Sequence, residues 1–169
     1  MRTKRCYCCK ISLPADQFAK NAAKPDGLRE ECRTCRKYEL AVRGANSRAQ
    51  EYGLPGRLKI QDIRHLMGFF EPHGCIICGS SFADRKQLSL DHVVPFKRGG
   101  RNETGNLLPI CLHCNANKGD KPLLIFAAER ITWDRVESLL RFLAYENDQT
   151  AAEVAAELAE DVLQYIRGD

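Results

Sequence analysis

The chain has 169 residues, 44% of them apolar and 28% charged. That is room for one compact domain or two small ones, and it excludes a wholly disordered chain. The longest apolar run, Leu123 to Ala128, is far short of a membrane span, and the N-terminus Met-Arg-Thr-Lys-Arg-Cys lacks the apolar stretch of a secretion signal. A soluble, cytoplasmic protein without membrane contact is expected.

The net charge of +4 is unevenly spread. Residues 1–50 carry 12 basic against 5 acidic side chains, residues 51–122 carry 10 against 7, and residues 123–169 carry 4 against 10. The basic two-thirds suit a polyanionic partner, and the acidic tail does not.

Residues 1–37 hold two C-x2-C pairs, Cys6/Cys9 and Cys32/Cys35, with Leu13, Phe18 and Leu28 between them. Each pair sets two thiolates on one tight turn, and two such turns complete a tetrahedral Zn2+ site. So few apolar residues predict a zinc-ribbon-like module that folds on its metal. Cys8 is left without a ligand role. Residues 38–57 are polar and end in Gly53-Leu-Pro-Gly56, which reads as a short helix and a linker.

Residues 58–122 form the next unit. Ile60, Ile63, Met67 and Phe70 lie on one helical face, and Pro72-His-Gly74 breaks the helix before Cys75-x2-Cys78. Leu88 to Val94 alternates as a strand, Lys97 to Arg101 is a loop, and Asn106 to Ile110 starts a returning strand. A helix follows from about Cys114 to Gly119. Cys111 and Cys114 make the fourth pair and, with Cys75 and Cys78, a second structural zinc site. Cysteines in a chain without an export signal argue for metal over disulfides, and a redox dithiol lacks the βαβ setting it needs.

Residues 123–169 are helical. Val136, Leu139, Leu140 and Leu143 form one stripe, and Trp133 is expected in the core. Thr150-Ala-Ala-Glu153 is a capping box opening a helix whose stripe runs Val154, Leu158, Val162, Ile166, with Gly168 at its end. That stripe must be covered by its own domain or by a second copy, so the C-terminal helices offer a homodimer contact. His65 and His73 are expected to be structural.

The chemistry concentrates between residues 75 and 119: Cys75-x2-Cys78, Asp91-His92, Gly99-Gly100, Asn106, Cys111-x2-Cys114-Asn115 and Lys118-Gly119. A hairpin pinned at both ends by thiolate pairs holds Asp91 opposite Asn115. This pattern, above all Leu90-Asp-His-Val-Val-Pro through Cys111-Leu-His-Cys-Asn115, resembles the HNH endonuclease family of phages and bacteria, in its zinc-knuckle subset. The resemblance implies an α+β fold: a small ββα-metal module clipped by a four-cysteine zinc, preceded by the zinc-ribbon-like module and followed by C-terminal helices.

It also implies roles. His92 takes the position of the general base that activates water, and Asp91 that of a metal ligand. Asn106 takes the middle position, which ties the hairpin loop and holds the base in orientation. Asn115 stands where many members carry a metal-binding histidine, making this an H-N-N variant. With two oxygen donors the catalytic ion is expected to be Mg2+ or Mn2+, beside two structural Zn2+. Lys97, Arg98, Arg101 and Lys118 are the expected contacts to DNA phosphates. The implied activity is metal-dependent hydrolysis of DNA phosphodiester bonds, leaving 5′-phosphate and 3′-hydroxyl ends. Two other readings stand beside it: an endonuclease VII-like resolvase of branched DNA acting as a dimer, and a non-catalytic zinc-stapled DNA-binding module.

Overall fold

Four short strands open the chain in the computed structural model, which describes residues 2–82, 88–128 and 130–168. β1 (Thr3–Arg5) and β2 (Ser12–Pro14) pair antiparallel around the turn that carries Cys6 and Cys9. β3 (Phe18–Lys20) and β4 (Leu28–Cys32) form a second hairpin, with Phe18 opposite Cys32. Phe18 is the one large side chain among the fully buried residues of this module; Leu13 and Leu28 only lean on it. Burying it stabilises by about 2–3 kcal/mol. Ordering some thirty residues costs at least ~1 kcal/mol each. Apolar burial therefore cannot hold this module, and the cysteine cluster at its centre must.

Cys32 ends β4 and caps α1 (Arg33–Glu51), its Sγ accepting from the Cys35 amide at 3.5 Å. The sequence suggested a short helix beginning after residue 37. Instead one 19-residue helix crosses that boundary, because nothing stronger than Gly44 interrupts it before Gly53 and its buried face, Tyr38, Ala45 and Ala49, is already amphipathic. α2 (Ile60–Phe70) follows and buries Ile63, Leu66, Met67 and Phe70, as the spacing requires.

β5 (Leu88–His92) and β6 (Leu107–Cys111) pair antiparallel with Leu88 opposite Cys111 and His92 opposite Leu107. Cys111 caps α3 (Leu112–Lys118) as Cys32 caps α1, accepting from the Cys114 amide at 3.4 Å. The same device, a strand ending in a cysteine that starts a helix, is thus used twice.

α4 (Leu123–Ala127), α5 (Trp133–Asn147) and α6 (Ala151–Arg167) complete the chain. They share one core with α2 and the β5–β6 hairpin, and α1 adds Tyr38 and Ala45 to it. α6 begins at the expected capping box, with Thr150 Oγ1 accepting from the Glu153 amide at 3.2 Å and Glu153 Oε2 from the Thr150 amide at 2.8 Å. Val154 and Leu158 are buried within the chain, Val162 is half-buried and Ile166 is exposed. The stripe is therefore covered by its own domain over its first half.

Trp133 corrects an expectation. It starts α5 and is 80% exposed rather than in the core. His65 bridges α2 to Glu146 of α5, and His73 lies beside the Phe69 ring, both structural settings. No described helix is long and apolar enough to cross a membrane.

Candidate active site and metal centres

Two four-cysteine clusters form from the C-x2-C pairs: Cys6, Cys9, Cys32 and Cys35, and Cys75, Cys78, Cys111 and Cys114, with all sulfurs of a cluster within 4.8 Å of one another. All nine cysteines are free thiols. Cys78 and Cys111 Sγ lie 3.7 Å apart, close to the ~3.8 Å edge of a tetrahedron with Zn–S bonds of about 2.3 Å. Burial pushes the Cys6 thiol up, but the backbone N–H groups of Cys9, Cys32 and Cys8 outweigh it and hold it at about 6. Cys78 is also held at about 6, burial being outweighed chiefly by hydrogen bonds from Ser80. Each cluster thus contains a sulfur readily ionised for metal. Cys8 lies outside its cluster, where Arg64 of α2 donates to Cys8 Sγ (3.4 Å) and to Cys35 Sγ (3.1 Å).

The second cluster places the chemistry. It clips the end of β6 and the start of α3, so Asn115 follows directly on a cluster cysteine and faces the end of β5. Asp91, His92 and Asn115 line one cleft of about 340 Å³, together with Phe96, Lys97 and Asp120, with Arg48 from α1 and with Tyr52 just after it. The three residues that the sequence singled out are thereby brought together.

His92 is buried against the Phe96 ring, centroids 4.0 Å apart, with Nε2 3.2 Å from Asn102 Oδ1. Burial lowers its pKa to about 4, the cations Arg48 and Lys118 adding to that and the Asn102 bond opposing it. The imidazole is therefore neutral and keeps a lone pair for a proton. Asp91 is pushed up by burial, against the pull of Lys118, whose Nζ lies 2.9 Å from Asp91 Oδ2. One carboxylate oxygen of Asp91 and the amide oxygen of Asn115 remain as hard donors, a set suited to Mg2+ or Mn2+. Asn106 binds the hairpin loop: its Oδ1 accepts from the Val94 amide (2.8 Å), and its Nδ2 donates to the carbonyls of Val94 (3.0 Å) and Arg101 (2.8 Å). Gly100 is required beside it, since a Cβ there would stand 1.8 Å from Val94 O.

The four expected phosphate contacts divide. Lys97 and Arg101 are on the surface, each beside a carboxylate, Asp120 and Glu103 respectively. Lys118 is 1% exposed and spends its ammonium on Asp91 and on the His92 carbonyl (3.1 Å). Arg98 is buried in a two-pronged ion pair with Asp161 of α6, Nε at 2.6 Å and Nη2 at 3.2 Å. Neither buried cation is presented to an outside phosphate, which corrects the surface placement expected for both. Conversely, Arg48 lines the cleft, is exposed, and among the described residues has no carboxylate partner. The sequence carries no signal for Arg48, Asn102 or Asn46: packing of α1 brings Arg48 and Asn46 to the site, and the fold of the β5–β6 loop brings Asn102.

The family model for HNH endonuclease matches residues 75–121. The CRISPR-associated endonuclease Cas9 of Actinomyces naeslundii is 31% identical to this chain over 80 residues, which are 46% of this chain and 7% of that protein. A crystal structure of the Type II-C Cas9 enzyme from Actinomyces naeslundii aligns at 24% identity and a TM-score of 0.39, covering 79% of this chain and 14% of the other. The chain thus spans only a small part of the length of these relatives. Asp91, His92 and Asn115 lie within the matched residues, although Arg48 and Tyr52 of the same cleft do not, and residues 75–121 are a domain of the HNH endonuclease family.

Proposed function

We propose that the protein is a metal-dependent DNA endonuclease in which His92 is the general base. The observation that carries this reading is a buried, neutral imidazole sharing one cleft with a carboxylate and an amide oxygen. Asp91 and Asn115 would hold a divalent cation, Mg2+ or Mn2+. When bound, that ion polarises the scissile phosphate and stabilises the leaving 3′ oxygen. His92 takes the proton of the attacking water, which yields a 5′-phosphate and a 3′-hydroxyl. Arg48, a cleft cation without a carboxylate partner among the described residues, binds a non-bridging phosphate oxygen. Asn106 keeps the loop closed behind the base.

Both cysteine clusters take Zn2+ and are structural, since four thiolates leave no coordination position for substrate. Supercoiled plasmid with Mg2+ tests the reading: the wild type nicks or linearises it, and His92→Ala leaves it intact while retaining both zincs and DNA binding. Full activity of His92→Ala would remove the base from the mechanism. A cruciform substrate cut in preference to linear DNA, by a dimer in solution, would favour the resolvase alternative; binding without cleavage would favour the non-catalytic one.

A further inference from the structure

We infer that Asn46 and Asn102 form a relay that fixes His92 in its Nε2–H tautomer and leaves Nδ1 as the proton-accepting nitrogen; the role given to Nδ1 rests on the reading of His92 as the base. The direction of the relay is set by a backbone. The Leu58 amide can only donate and its carbonyl can only accept, so Asn46 must turn Oδ1 to Leu58 N (2.9 Å) and Nδ2 to Leu58 O (2.9 Å). Asn46 Oδ1 also accepts from Asn102 Nδ2 at 2.8 Å. The other end of the Asn102 amide is then an oxygen, and it is this oxygen that lies 3.2 Å from His92 Nε2. An amide oxygen only accepts, so Nε2 carries the single proton of the neutral ring, and Nδ1 is bare.

Asn102 is held where this requires. It is fully buried, and its backbone N–H donates to Pro55 O at 3.1 Å. Gly56, at a φ of +98°, packs so closely on it that a Cβ would stand 2.6 Å from Asn102 O. Asn106, the residue expected to orient the base, spends its amide on the loop backbone. Asn102 contacts the ring instead. Asn46 and the 55–58 linker lie outside residues 75–121, so the positioning of the base depends on segments that the family match does not include.

The chain has four histidines, which makes a long-range 1H–15N spectrum of the zinc-loaded full chain readable, with His92→Ala identifying the signals. The wild type is expected to show His92 only as the Nε2–H tautomer. Asn102→Leu and Asn46→Leu should show both tautomers, with kcat lower by about ten- to a hundredfold and KM unchanged. Asn102→Asp keeps an acceptor toward Nε2 and should keep the single tautomer. An Nδ1–H or mixed wild type overturns the relay, and that spectrum needs no variant to fold. An unchanged tautomer in a folded Asn102→Leu overturns it as well. If the wild type shows the Nε2–H form, and Asn102→Leu loses it, yet no DNA is cut, the relay stands and the nuclease reading falls.

Discussion

Lys118 and Arg48 are both cations near His92, and the structure gives them opposite work. Lys118 compensates a buried carboxylate, so Lys118→Met strands the Asp91 charge and should cost about 3–5 kcal/mol of stability. The salt dependence of DNA binding should not change. Arg48 is exposed and has no carboxylate partner among the described residues, so Arg48→Ala should leave the urea midpoint nearly unmoved while reducing the slope of log K against log salt by about one. Equal slopes for wild type and Arg48→Ala would take Arg48 off the phosphate. Between the two oxygen donors, the charged one attracts a cation more strongly. Asp91→Ala should therefore raise the Mg2+ concentration for half-maximal cleavage further than Asn115→Ala does, and superimposable titration curves for wild type and Asp91→Ala would contradict the assignment. That Asp91, His92 and Asn115 would lie together was legible because the cysteine spacing that frames them is local. The roles of Lys118 and Arg98 were not, because a loop or helix cation reads the same in sequence whether it faces water or a buried acid.

At the level of elements, α6 is fastened to the nuclease hairpin by charge as well as by its apolar stripe. Asp161 is 4% exposed and takes the Arg98 guanidinium, which also donates to the Asp120 carbonyl at 2.7 Å. Removing one partner leaves the other charged and buried. Asp161→Ala should thus lose about 3–5 kcal/mol in urea unfolding, whereas the double replacement Arg98→Met/Asp161→Leu should recover much of it. A double variant as unstable as the single one would show that the pair contributes specific geometry beyond charge balance. The helix itself was readable from its capping box and four-residue spacing. What covers that stripe was not, since a helical face records only that it must be buried, and α4 and α5 of the same chain cover its first half.

At the level of the molecule, the two cysteine clusters are joined mechanically. α1 starts at a cysteine of the first cluster and carries Asn46 and Arg48 to the cleft of Asp91, His92 and Asn115, and Arg64 ties α2 back to Cys35. Loss of the N-terminal zinc should consequently lower kcat and not only DNA affinity. Elemental analysis should find two zincs per chain, both surviving EDTA that removes the cleavage ion. Cys111→Ser should unfold the nuclease domain, and Cys6→Ser should lose one zinc and slow cleavage. Cys8→Ser, outside the cluster, should lose no metal. A Cys6→Ser protein with one zinc and an unaltered kcat would uncouple α1 from the catalytic centre.

The sequence by itself determined the two four-cysteine clusters, the strand–loop–strand–helix order between residues 88 and 118, and the residues at the centre of the cleft. Each of these is written in spacings of a few positions, and zinc ligation and strand alternation tolerate little else. Only the tertiary structure decided which cations are buried, where α1 ends up, and that Asn102 rather than Asn106 touches the base. The first two depend on contacts between residues 26 to 63 positions apart, and the third on how the loop between β5 and β6 folds back over ten positions; neither leaves a periodic trace in a single sequence.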